Sequence, residues 1–218
     1  MNVSAIVVTR PGRRIDLQPI LDTFPPEWER IVWRNGERVE LHWADPPGSF
    51  KELDRVPDVG PHGRFSAIGY ASHDLIYVQD DDVIVSDPQE IVGWYERWMA
   101  TDDAPYKEEG YVVCNMPPEF RQHYPDSAMV GFGAAFHRNA PPTAFVRFFK
   151  KHPTMAVDDP LFLRESCRAF TTLTPRVLVD VPKTDREFAS DPDRLWKQPD
   201  HIEMRERMLV LAREARDS

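Results

Sequence analysis

The 218-residue chain is poor in cysteine, in basic residues, in glycine and in long apolar runs, and each shortage excludes something. Its two cysteines, Cys114 and Cys167, form no C-x-x-C pair and lie at no metal-ligand spacing from a histidine. That pattern excludes a disulfide scaffold and a cysteine-based zinc module, and it predicts two reduced, buried thiols. Lys and Arg number 27 against 36 Asp and Glu, a formal net charge of −9. So acidic a chain is a poor match for nucleic acid or an anionic membrane, although a local basic cleft could still hold a phosphorylated ligand. No apolar stretch approaches the ~20 residues needed to span a bilayer. The amino end carries no signal-peptide pattern, because Ala5-Ile6-Val7-Val8 already reads as a strand. The expectation is a cytoplasmic protein without stable membrane insertion.

What is present in quantity is proline, 21 residues, clustered at 25–26, 46–47, 117–118 and 141–142. Proline ends helices and leaves ladder positions unpaired, so these clusters mark the joints between elements. Between them, the pattern predicts a strand over 3–9 and a helix over 15–24. Strands over 30–33 and 39–43 flank the turn dipeptide Asn35-Gly36, and a helical stretch over 63–71 follows. An amphipathic helix over 88–100 has Asp87 as its cap. Alternating strands and helices in this half argue for a parallel, nucleotide-binding kind of sheet. The second half is less regular. Strands are predicted over 110–115, 128–137 and 176–181, and helices over 142–151, 160–170 and 199–216.

The most informative feature is Asp80-Asp81-Asp82, set between the apolar run Leu75-Ile76-Tyr77-Val78 and Val83-Ile84-Val85. Three adjacent carboxylates repel one another and resist desolvation, so a hard divalent cation is their natural partner. The carboxyl end of a strand is where an α/β sheet binds its ligands. The plainer alternative is an exposed acidic turn. Arg10, Arg13 and Arg14 follow the first strand, where cationic side chains suit a diphosphate, or else belong to a solvated loop. Asp158-Asp159 precedes Pro160, so one of the pair caps the helix that follows; the cap is assigned to Asp158, which leaves Asp159 for chemistry. His201 and Arg205 are four apart and share one helical face.

A strand followed by D-x-D resembles the hallmark of the GT-A glycosyltransferase fold. The surrounding blocks are Gly63-Arg64-Phe65, the stretch Met129 to His137 containing Gly133-Ala134-Ala135-Phe136-His137, the pair Asp158-Asp159, and His201 with Arg205. In that order they resemble the catalytic domain of the exostosin-type glycosyltransferases, over most of the chain. The family's G-A-A-F-x-H block lacks its intervening residue here, and two family cysteines are replaced by Val157 and Met208. The latter departure fits a soluble relative in a reducing compartment.

The resemblance implies a single α/β domain of Rossmann-like GT-A type, with a mixed, mostly parallel sheet and helices on both faces. Residues 1–100 would bind the nucleotide-sugar and 101–218 the acceptor. It implies transfer of a sugar, hexosyl or N-acetylhexosaminyl, from a nucleotide-diphosphate donor, a UDP-sugar first, with Mn²⁺ or Mg²⁺ as cofactor and retention at the anomeric carbon. Asp82 would ligate the metal, Asp80 would sit at the metal or the ribose, and Asp81, also assigned to the donor, could do either. Thr9, Arg10, Arg14, Arg64 and His201 would contact the donor, and Asp159 and Arg205 would serve catalysis. The acceptor stays open: a saccharide, a protein, a lipid-linked sugar or a modified nucleobase. Other readings are a non-catalytic nucleotide-sugar or glycan-binding relative and a sugar nucleotidyltransferase, though the glycine-rich loop expected of the latter is missing after the first strand. A haloacid-dehalogenase-type phosphatase fits poorly, because Val83-Ile84 follows Asp82 and the strand is not the first.

Overall fold

The computed structural model describes residues 2–13, 15–42, 50–53, 55–101, 110–186 and 197–218. Its centre is an eight-stranded sheet. Strand β1 (Val3–Thr9) lies inside it, and all seven residues are buried, as expected of a strand covered on both faces. On one side β1 pairs in parallel with β2 (Glu29–Arg34). An antiparallel hairpin then adds β3 (Arg38–His42) and β4 (Phe50–Leu53). On its other side β1 pairs in parallel with β5 (Leu75–Asp80). Beyond β5 come β8 (Ala134–His137), β7 (Val112–Asn115) and β9 (Arg176–Val179), giving the order β4-β3-β2-β1-β5-β8-β7-β9. Only β3 and β8 run against the other six strands, so the sheet is mixed although most strands share one direction. A separate two-stranded ribbon pairs β6 (Val83–Val85) with β10 (Lys183–Asp185).

Side chains alternate across the sheet, and each face builds its own core. Ile6 and Val8 of β1, Ile76 and Val78 of β5 and Phe136 of β8 face one core. Helices α2 (Gly63–Ser66), α5 (Ala140–Lys151), α6 (Pro160–Leu173) and α7 (His201–Arg216) cover it. Val3, Ala5 and Val7 with Tyr77 face the other core, covered by α1 (Gln18–Leu21) and α3 (Pro88–Met99). Helices therefore pack on both faces. Phe65, Phe145, Phe162 and Phe170 meet edge-to-face at 5.1–5.4 Å and lock α2, α5 and α6 together. That packing fixes Arg64, the neighbour of Phe65. Asp87 caps α3 as expected, accepting from the Glu90 amide at 3.0 Å.

Two predicted elements shorten, and three further elements appear. The helix over 15–24 shrinks to Gln18–Leu21, because Pro19 is tolerated only in a first turn. The strand over 128–137 begins only at Ala134, since Gly133 adopts φ +104° and the chain before it leaves the ladder. Strands β4 and β10 and the short helix α4 (Pro118–Arg121) were not expected. Among the described residues, no helix is long and apolar enough to cross a membrane.

Candidate functional site

From β1 the chain moves one way across the sheet, to β2, β3 and β4, and then returns to the other side of β1 as β5. The strand order reverses between β1 and β5, which opens a crevice at their carboxyl ends. The acidic triplet sits there, with Asp80 in register with Val8. The three carboxylates are not equivalent. Asp80 Oδ1 accepts from Arg64 Nη2 at 2.5 Å, and its side chain keeps 37% exposure. Asp81 turns inward, with 5% side-chain exposure, and its Oδ1 pairs with Arg13 Nη1. Its Oδ2 is buried without a hydrogen-bond partner. Burial pushes the Asp81 carboxyl up to about 7; Asp80 and Asp82 add to the rise, and the Arg13 guanidinium offsets only part of it. Half-buried Asp82 lies in the turn before β6, and its carbonyl accepts from the Arg186 amide at 2.8 Å.

Arg64 does not reach outward toward a ligand. Its side chain is 8% exposed, and Nη1 lies 3.0 Å from Cys167 Sγ on α6 while Nη2 holds Asp80. It is the support behind Asp80. On the other side stands Gly131, whose carbonyl accepts from the Asp80 amide at 2.9 Å. A Cβ at Gly131 would fall 2.0 Å from Asp80 Oδ2. Cys114 is buried and Cys167 half-buried, both free thiols, and burial raises both, to about 12 and about 11.

Beside the triplet, at the ends of β1 and β2, is an open cleft of about 770 Å³ lined by Gly12, Arg13, Ile15, Arg34, Glu37 and Arg38. Arg13 belongs to both cleft and triplet. Thr9 is buried at the end of β1, its hydroxyl turned to the Arg10 carbonyl at 3.3 Å, and it does not line the cleft. Arg10 is half-buried in the same turn, its carbonyl accepting from the Arg13 amide. Arg14 lies outside the described residues. The wall is held by Asn35, whose Nδ2 donates to the carbonyls of Thr9 (3.1 Å) and Gly60 (3.0 Å). Its Oδ1 accepts from Trp33 Nε1 (2.9 Å) and the Val59 amide (3.2 Å).

The cap of α6 falls one residue later than expected. Asp159, not Asp158, accepts from the Leu161 amide at 2.8 Å and occupies the N-cap, because its non-helical backbone (φ −57°, ψ 127°) aims its carboxylate at the first free amides. The residue expected to serve chemistry is therefore the cap itself, and Asp159 Oδ2 is the oxygen the cap leaves over.

His201 and Arg205 do share a face of α7, and that face meets α6. His201 Nδ1 is 3.9 Å from Glu165 Oε1, and Glu165 Oε2 is 3.5 Å from Arg168 Nε. Arg168 and Arg205 lie over the ring of Tyr124 at 5.0 and 4.3 Å. Arg205 also donates to the His123 carbonyl, and Arg168 to Ser127 Oγ at 2.8 Å. Arg164 pairs with Asp200 at 3.0 Å. Burial, then the neighbouring Arg205, lowers Arg168; burial, then Arg164, Arg205 and Arg168, lowers His201. Cations thus outnumber anions in this cluster. Sequence spacing found His201 and Arg205 but missed Glu165 and Arg168, because it is the packing of α6 on α7 that brings them together.

Comparisons with family models, with curated proteins and with solved structures find no match. Among the described residues no group of three or more His, Cys, Asp or Glu converges into a metal cage. One or two carboxylates can hold Mg²⁺ or Mn²⁺ where ligand phosphates and water complete the shell, and Asp80 and Asp82 stand two residues apart at the end of β5.

Proposed function

We propose that the protein is a metal-dependent glycosyltransferase of the GT-A type, moving a sugar from a nucleotide-diphosphate donor, a UDP-sugar first, to an acceptor hydroxyl. The observation that carries this reading is the acidic triplet at the point where strand order reverses, joined through Arg13 to a basic cleft at the ends of β1 and β2. In this reading the base and ribose occupy the cleft between Arg13 and Arg38, and the diphosphate lies toward Asp80 and Asp82. Mn²⁺ or Mg²⁺, held by Asp82 with Asp80, would neutralise the charge that develops on the departing diphosphate. Arg64 keeps the Asp80 carboxylate in place, and Gly131 leaves room for it. Arg205 and Arg168 supply positive potential from the α6–α7 side. Asp159 Oδ2 is the group assigned to orient a hydroxyl at the reacting carbon.

The test is thermal melting with UDP plus Mn²⁺ against UDP alone, followed by a screen of UDP-, GDP- and TDP-sugars for released nucleotide. A metal-dependent rise of a few degrees at saturating ligand is expected. Asp82→Ala should abolish it and the associated turnover. An unchanged signal in that variant would move the metal site elsewhere. Binding without donor turnover would make the protein a nucleotide-sugar-binding relative instead. Retention would appear as an unchanged anomeric configuration in the proton NMR spectrum of the product.

A further inference from the structure

Glu165 sits where α6 departs from helical geometry, at φ −114° and ψ 15°. The kink turns a carboxylate, 8% exposed, into the α6–α7 interface. Two donors face it at more than hydrogen-bond length, Arg168 Nε at 3.5 Å and His201 Nδ1 at 3.9 Å. Both nitrogens are buried without a hydrogen-bond partner. The imidazole as a whole keeps 19% exposure, so its accessible edge is the opposite one. A neutral imidazole carries one N–H and one lone pair, and the carboxylate selects which nitrogen bears the proton.

We propose that Glu165 is a positioning residue that holds His201 in the Nδ1–H tautomer, so that Nε2 presents a lone pair to a hydroxyl group of the bound donor sugar or acceptor. The groups around the ring favour the neutral form: Arg164 and Arg168 on α6 and Arg205 on α7 oppose a second proton, while Glu165 and Asp200 favour it. His201 then complements its neighbours. The arginines meet anionic oxygens, and the histidine accepts from a hydroxyl, which a guanidinium cannot do. The tautomer follows from the geometry of the free protein; the hydroxyl ligand rests on the transferase reading above.

Imidazole ¹⁵N–¹H spectra of the full chain at neutral pH, without ligand, test the first part. Nδ1 should be protonated and Nε2 bare. The reverse tautomer, or a doubly protonated ring, would overturn the proposal. Glu165→Gln should lower the titration midpoint of His201, since only the carboxylate charge is removed. An unchanged midpoint would reduce Glu165 to packing, and should this variant fail to fold, the tautomer of the native chain remains decisive. With UDP-glucose and Mg²⁺ added, the Nε2 resonance should move upfield while Nδ1 stays protonated. A bound complex that leaves Nε2 unmoved, or protonates both nitrogens, refutes the hydroxyl role. Absence of any binding refutes that role together with the transferase reading, and leaves the tautomer result standing.

Discussion

Asp81→Asn removes one titration from the crevice and leaves its shape. Asp81 is 5% exposed at the side chain, has one oxygen on Arg13 and the other buried without a partner. Its carboxyl rises from 3.8 to about 7 in the folded chain. The folded state therefore holds this proton more tightly than the unfolded state. Stability is fully present below the unfolded value, drains as pH rises through the window from 3.8 to about 7, and is gone above it. Between pH 5 and pH 8 the loss works out at ~2.6 kcal/mol, since each tenfold difference in proton affinity between the two states is worth about 1.36 kcal/mol. For a chain of this size that is about 5–10 °C of melting temperature. Asparagine cannot ionise, yet its amide oxygen still accepts from Arg13. Scanning calorimetry of both proteins at pH 5 and pH 8 reads the difference. The native chain should lose that much more melting temperature than the variant. Equal losses in the two proteins would mean that Asp81 is solvated or fully compensated, and the argument from its burial would be wrong.

Gly131→Ala should displace the Asp80 carboxylate, lowering stability in urea by about 1–3 kcal/mol and weakening calorimetric binding of UDP with Mn²⁺. Asp159→Ala should cost about 1 kcal/mol through the lost cap of α6, whereas Asp159→Asn, which still caps, should stay within about 0.5 kcal/mol. If the charge of Asp159 serves the reacting centre, the Asn variant nonetheless loses nucleotide release from the donor; full release would confine Asp159 to capping. Asn35→Ala strands the Gly60 carbonyl, the Val59 amide and the Trp33 indole N–H, and should cost about 3 kcal/mol in equilibrium denaturation.

The parts of the fold legible in the sequence were those whose signal is local. β1 carries the apolar run Ala5 to Val8, β5 ends on the first of the three aspartates and β6 follows the last, and α3 has period, cap and proline all in agreement. The stretch 128–133 misled because its glycines resemble a weak strand. Gly131 serves instead to make room for Asp80, and Gly133 turns with positive φ against the Tyr77 hydroxyl. β10 carries too short a pattern, Lys183-Thr184-Asp185, to be seen without its partner β6. In the site, residue types were legible and roles were not. Arg64 reads as a ligand contact until its burial turns it toward Asp80 and Cys167. Asn35 reads as half of a hairpin turn until its side chain is seen holding four partners. Glu165 has no local mark at all. The two positions that replace family cysteines differ in setting, Val157 being 69% exposed and Met208 wholly buried.

The anchoring of the triplet bears on the order in which the chain folds. Arg13 reaches Asp81 across 68 residues, Cys167 reaches Arg64 across 103, and Arg186 reaches the Asp81 carbonyl across 105. The Arg64–Asp80 pair is of much shorter range, at 16. Loops that long close late, since their entropy must be offset by a sheet already in place. A partly folded chain therefore has the strand, its three aspartates and the local Arg64, but not the Arg13 that neutralises Asp81. Recovery of ligand binding during refolding should then trail the recovery of β-sheet signal, because the crevice is completed by the last segments to arrive.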